Sequence, residues 1–278
     1  MISIQPSFST IMRNYVQETW ALYRRLIIQT QRRPATFIAG LFQPMLWLIL
    51  FGALFQNAPV ELFSISKSYR HFLTPGILVF TTFTGALNAG LPLMFDREFG
   101  FFNRLLVAPL TTRQSIIMAS ALFISTITLI QTLFVLGLMS LWEIKLHLIT
   151  FVITIVILVL LTCALTMCSI SASLILPGHI ELLALIFIIN LPLLFASTAL
   201  VPFSFMPMWL QVLASINPLS YTIEAIRSIY SSVDWTWSTT VVETIWGTFS
   251  LSEVILLLVI LNFMLGIIAG YCITIRVR

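Results

Sequence analysis

Residues 148–176 read LITFVITIVILVLLTCALTMCSISASLIL, a run without one Asp, Glu, Lys or Arg. The hydrocarbon core of a bilayer is about 30 Å thick and takes about 20 helical residues to cross. Lipid offers the backbone no hydrogen-bond partners, so a crossing segment bonds to itself as a helix. The same reading extends outward to residues 35–55, 72–95, 114–142, 182–201 and 254–275, which also lack charge and are long enough to span. The sequence therefore predicts an all-α membrane protein with six transmembrane helices.

Composition agrees. Hydrophobic residues make up 59% of the chain and charged residues 9%, against about 25% charged in a soluble domain. A water-soluble core is excluded. The longest stretch outside the spans is 202–252, which leaves no room for a separate catalytic domain, so residues 1–278 read as one transmembrane domain. The net charge of +4 is spread over loop ends rather than gathered on one face, so no nucleic-acid partner is expected. Cys163, Cys168 and Cys272 fall inside spans, with neither metal nor disulfide spacing, and read as packing residues. The first long apolar run starts only at Ala35 with no cleavage pattern after it, so no secretory signal is expected.

Basic residues set the expected orientation. With six spans, Arg13, Arg24, Arg25, Arg32, Arg33, Arg97, Arg104, Arg113, Arg276 and Arg278 fall on one side, and Lys67, Arg70, Lys145 and Arg227 on the other. That bias places both termini in the cytoplasm, or in the stroma of a plastid. Trp142, Trp209, Trp235, Trp237 and Trp246 gather on the far side, as an interfacial aromatic belt does. Residues 10–33 form a further helix of their own. Met12, Tyr15, Val16, Thr19, Tyr23 and Ile27 recur at three- and four-residue steps, with Arg13, Gln17, Arg24 and Arg25 elsewhere. This is the pattern of an amphipathic helix lying along the membrane surface, ended by a break at Pro34.

Gln43 and Pro44, then Asn88, Gly90 and Pro92, then Asn190 and Pro192 interrupt spans 1, 2 and 5. They read either as a lined pathway or bending point, or as ordinary helix packing, since Gly and Pro are frequent in membrane helices. No charged residue sits at a span centre; Glu181 lies at the start of span 5 beside Pro177-Gly178-His179, within reach of water. A relay of buried carboxylates and histidines, as proton-coupled pumps use, is not part of the pattern.

Two loops look functional. Residues 96–113, continuing to Ser115, begin Asp96-Arg97-Glu98-Phe99-Gly100-Phe101-Phe102-Asn103-Arg104-Leu105-Leu106 and run on through Pro109 to Arg113. An exposed group of Phe99, Phe101 and Phe102 among charges suits docking into a partner's groove, and equally suits a solvated loop dipping its rings into the interface. In the outer loop 202–252, Met208–Ile216 is apolar but covers only about 14 Å, so it lies along the interface or re-enters. Pro207 starts it, Asn217-Pro218 ends it, and a second short helix after Pro218 places Glu224 and Arg227 on one face.

These loops carry a resemblance. The chain resembles the membrane subunit of an ABC transporter of the ABC-2 type, a family of drug, polysaccharide and lipid exporters. The resemblance covers nearly the whole chain. Its most specific part is the ordered set Ser197, Pro202, Met206-Pro207, Trp209-Leu210, Asn217-Pro218-Leu219-Ser220-Tyr221, Glu224-Ala225 and Arg227, similar to the family signature between spans 5 and 6. Asp96-Arg97-Glu98-Phe99 through Phe102-Asn103-Arg104-Leu105 to Pro109 and Arg113 is similar to the family's coupling segment. The branch it resembles is the cyanobacterial and plastid-encoded permeases of unknown substrate; no single motif carries that narrower likeness. The resemblance implies a homodimer or permease heterodimer in a plastid membrane, or in a bacterial inner membrane, worked by two ATPase subunits. It implies that residues 96–113, with Arg104 and the acidic cluster Asp96–Glu98 foremost, couple to the ATPase, and that Pro202–Arg227 forms an outer gate. The chain holds no Gly-x-x-x-x-Gly-Lys-Ser/Thr loop. ATP and Mg are therefore expected on a separate polypeptide, and no cofactor and no catalytic residue on this one. The scarcity of charge in the spans favours a lipid-like or amphiphilic cargo.

Other classes stay open to the residues. A membrane-embedded assembly factor of the cytochrome-maturation kind can share this architecture, but His71, His147 and His179 are scattered rather than flanking Trp235 and Trp237. An intramembrane enzyme needs a base near a nucleophile, and no span supplies His, Asp or Glu. An ATP-independent channel or carrier is the third.

Overall fold

A computed structural model of the chain describes residues 8–32, 34–55, 69–107, 112, 114–140, 148–231 and 235–276. Helix α1 (Phe8–Gln31) and α2 (Pro34–Leu54) come first, Pro34 opening α2. Then follow α3 (Tyr69–Leu87), α4 (Gly90–Glu98), α5 (Phe101–Val107), α6 (Gln114–Ser140), α7 (Leu148–Ile175) and α8 (His179–Phe195). A single 3-10 turn at Phe203–Phe205 precedes α9 (Met208–Ile216) and α10 (Pro218–Ser231). Strands β1 (Thr240–Thr244) and β2 (Gly247–Ser250) lead directly into α11 (Leu251–Arg276).

Among the described residues five segments are long and apolar enough to cross a membrane: Phe37–Leu54, His71–Glu98, Gln114–Gly137, Leu148–Ile175 and Leu251–Ile275. The expected sixth, residues 182–201, differs. Helix α8 has 17 residues and covers about 25 Å, short of a core about 30 Å thick. It ends at Phe195, three residues past Pro192, whose carbonyl accepts the Ala196 N–H at 2.8 Å. The chain then turns back against α3. Gly76 makes room for it: a Cβ there would stand 2.7 Å from the Ala199 carbonyl oxygen.

A second difference amends the all-α class in one place. Residues 240–250 form an antiparallel hairpin, Val242 opposite Phe249 and Thr244 opposite Gly247. The run Thr240-Val241-Val242 and the stretch Trp246-Gly247-Thr248-Phe249 are rich in the β-branched and aromatic residues that favour strands. Gly247 takes a positive φ of 136°, which glycine adopts without strain.

Span 2 is the third difference. It is two helices, broken at Asn88-Ala89, with Asn88 Nδ2 bonded to the Thr84 carbonyl at 2.8 Å. The break is closed from α7: Ser169 Oγ donates to the Leu87 carbonyl and accepts the Gly90 N–H at 2.9 Å. Helix α7 is central, with α11, α3, α6 and α4 packed around it. Lipid provides no hydrophobic force between helices, so close approach of small residues matters. Gly90 lies so near α7 that a Cβ would meet the Ser169 carbonyl oxygen at 2.4 Å. Ala119, Ala121, Ala164 and Ala269 are likewise buried. The main cluster, around Leu73, Leu78, Phe83, Leu158 and Leu161, joins α3 and α7 to α10 and the start of α11.

Candidate functional site

The basic end of the bundle is organised by three consecutive residues at the end of α4. Asp96 accepts two bonds from Arg25 of α1, at 2.7 and 2.6 Å, a bidentate pair that fixes direction as well as distance. The same guanidinium lies 4.0 Å over the Phe101 ring, a cation–π contact. Arg97 reaches the other way and donates to the carbonyls of Ser173, Leu174, Leu176 and Pro177 at the end of α7. A cation there satisfies carbonyls that the helix leaves open and complements its dipole. Glu98 accepts the His179 backbone N–H at 2.6 Å and pairs with its Nδ1 at 2.6 Å. It thereby caps the open N-terminus of α8, where a carboxylate is favoured. One turn of α4 therefore ties α1, α7 and α8 together.

Gly100, at φ +76°, then turns the chain from α4 into α5. This elbow divides the expected phenylalanine group. Phe99 is 81% exposed, but Phe102 is only 3% exposed, packed with Leu93, Ile116, Ile117, Ile170, Leu174 and Ile273. The expectation that Phe102 is an exposed anchor is thus corrected: the short helix α5 points it into the bundle. Asn103, Arg104 and Val107 are exposed, and Leu105 is half-buried, lining a small cavity with Leu22 and Leu26 of α1 and Ile116 of α6. Pro109 and Arg113 lie outside the described residues.

At the far end the expected gate residues form one network. Asn217 Nδ2 donates to the carbonyls of Leu193 and Ala196, each at 2.7 Å, and its Oδ1 accepts the Leu219 N–H at 3.0 Å. It thus closes the end of α8 and caps the start of α10, where Pro218 takes the first helical position. Arg227 donates to the carbonyls of Thr198, at 2.8 Å, and Phe72, at 3.3 Å. It pairs with Glu224 one turn earlier and lies 3.7 Å from the centroid of the Phe72 ring. These two side chains satisfy the backbone that α8 abandons at Phe195. Non-helical backbone at membrane depth is tolerated where protein buries and bonds it.

The remaining gate residues shape the approach to this network. Pro202 begins the 3-10 turn and Pro207 begins α9, both in extended backbone. Met206 is buried, and its carbonyl accepts Gln211 Nε2 at 2.8 Å; Trp209 stands exposed. The Tyr221 hydroxyl donates to the Ser215 carbonyl at 2.7 Å, which ties α10 to α9, and burial raises its pKa.

Sequence reasoning missed Ser169, Gly76 and the tethering role of Arg25. Ser169 is one hydroxyl among many in α7, and nothing in its neighbours marks it. Arg25 counted only as a basic residue; its spacing from the apolar positions of α1 could have placed it on the flank facing α4.

The geometry is that of a polytopic membrane protein: a helical bundle with an internally tethered, outwardly exposed elbow at one end and two short capped helices at the other. The chain belongs to the ABC-2 type transporter family, whose description matches residues 17–231. It is 56% identical over 248 residues to a protein of Porphyra purpurea that bears the name transport permease ycf38, covering 89% of this chain and 85% of that one. The protein of that name in Cyanophora paradoxa is 49% identical over 249 residues, covering 89% and 86%. A Mycobacterium tuberculosis protein whose name describes a doxorubicin resistance ABC transporter permease, DrrC, is 28% identical over 232 residues, covering 80% of each. The chain is a multi-pass membrane permease of an ABC transporter, and such permeases are not themselves enzymes.

Proposed function

We propose that this permease moves a lipid-like or amphiphilic substrate out of the cytoplasm or stroma, driven by a separate ATPase that docks on the α4–α5 elbow. The carrying observation is the division of labour at that elbow. Asp96, Arg97 and Glu98 hold α1, α7 and α8, while Phe99, Asn103, Arg104 and Val107 face outward. A push on the exposed side reaches three helices at once. The break at Asn88-Ala89, clamped by Ser169, is the pivot about which α4 turns. ATP and Mg sit on the ATPase, and this chain holds no cofactor of its own. The family normally works with such a subunit, and two permeases pair to form the pathway.

In this reading α8 and the turn that follows complete a sixth crossing, α1 lies on the cytoplasmic or stromal surface, and α9–α10 re-enter from the far side as a gate. The relatives from Porphyra purpurea and Cyanophora paradoxa support a plastid membrane as its home. The cargo class rests on spans whose few charges, Asp96, Arg97, Glu98 and Glu253, lie at their ends, and the name of the mycobacterial relative supports a small drug-like amphiphile. The test is transport in proteoliposomes holding the permease with its ATPase. Fluorescent uncharged lipid is expected to move only with ATP. Movement without ATP, or carriage of a polyanionic glycan with which uncharged lipids do not compete, would overturn the proposal.

A further inference from the structure

We infer that the β1–β2 hairpin is a membrane-interface anchor, which rests its tip in a headgroup region of no net charge in the far leaflet and moors the α9–α10 pair to it. The tip residues Ile245 and Trp246 are exposed, Trp246 by 65%, and Trp237 is exposed by 57%. The chain itself places the base of the hairpin, with Trp237, beside the start of a span. No linker separates β2 from the membrane-crossing helix α11: strand ends at Ser250 and helix starts at Leu251. The first turn of α11 is held rigidly. Its Leu251 and Ser252 N–H groups donate to the carbonyls of Thr239 and Trp237, each at 3.2 Å. Ser250 and Glu253 close a reciprocal capping box, with the Ser250 N–H on Glu253 Oε2 at 2.7 Å and the Glu253 N–H on Ser250 Oγ at 3.4 Å. Trp237 therefore stands at the mouth of a span, the depth at which tryptophan is enriched.

The occupant follows from charge. Residues 235–250 contain no Lys or Arg, and Glu243 is their one charged residue. Anionic lipid is recognised by clustered basic residues, which this hairpin lacks; a neutral or zwitterionic headgroup layer suits it. The neighbouring short helix agrees, since α9 turns Met208, Trp209, Leu213 and Ile216 outward. The hairpin is joined to that pair through α10. Phe249 meets Tyr221 edge to face at 5.3 Å, and Val242 is buried in the main cluster.

The test is depth-dependent quenching in nanodiscs of phosphatidylcholine carrying bromines either near the glycerol or near the chain end. The emission that Trp246→Phe and Trp237→Phe each remove is read as a difference from wild type. That difference is expected to be quenched several-fold more by the shallow bromines than by the deep ones, and little by aqueous iodide. Quenching by iodide alone would place the tip in water. Quenching by neither, with Trp47 of α2 still quenched by lipid, would place it inside protein. Either result overturns the anchor. Trp47 also separates this failure from a failure of the membrane reading, in which no tryptophan meets bromine.

Discussion

Replacing Arg227 with methionine is expected to lower the stability of the detergent-solubilised permease by about 3–5 kcal/mol, the range for removing one partner of a buried ion pair. Three losses combine. Glu224, only partly buried, is left with its charge and no counter-ion. The Thr198 carbonyl, in the turn after α8, loses its donor, and an unsatisfied buried acceptor costs about 1–3 kcal/mol. The stacking on Phe72 is lost as well. The measurement is the midpoint of thermal or denaturant unfolding. Adding Glu224→Gln to the same chain is expected to recover part of the loss, because the orphan charge goes while the open Thr198 carbonyl remains. Wild-type stability in Arg227→Met would show that the turn after α8 does not depend on this side chain.

The second large effect is functional. Arg97→Gln is expected to leave the ATPase bound and to lower ATP-driven transport by about tenfold, within the usual range of coupling between distant sites. Arg97 spans four carbonyls at the end of α7, and glutamine has neither the charge nor the reach to hold them. The elbow then moves without carrying α7 along. Binding is spared because the exposed face of Phe99, Asn103 and Arg104 is untouched. The two readouts are co-purification and transport in proteoliposomes. Equal transport by variant and wild type would remove Arg97 from the transmission path.

The parts of this structure that the sequence showed are those governed by local rules. Uncharged length marks α2, α6, α7 and α11 to within a few residues. Pro207, Asn217 and Pro218 mark the bounds of α9 and α10, because capping chemistry is local. The spacing of Glu224 and Arg227 gave their pairing for the same reason. What was not legible depends on neighbours distant in sequence. Phe102 reads as exposed beside Phe99 until the turn at Gly100 sends it inward. Asp96, Arg97 and Glu98 look like a docking cluster, and only the folded chain shows each of them engaged with another helix. The span 182–201 is apolar throughout, so nothing in its hydropathy shows where the helix stops. Pro192 and the side chains of Asn217 and Arg227 decide that. The hairpin was legible in principle, from Thr240-Val241-Val242 and Trp246-Gly247, but a short strand signal is weak beside six long apolar runs.

The central claim is that the exposed side of the elbow receives an ATPase. The direct measurement is affinity purification of the tagged permease from its native membrane, comparing wild type with Arg104→Glu. Arg104 is exposed, so the reversal leaves the bundle intact, which an unchanged unfolding midpoint confirms. The account predicts that an ABC-type ATPase co-purifies with wild type and that its yield falls about tenfold or more with the variant, as reversing one contact charge across a specific interface does. An ATPase retained equally by both, or no ATPase with wild type under conditions that hold other such complexes together, would contradict it.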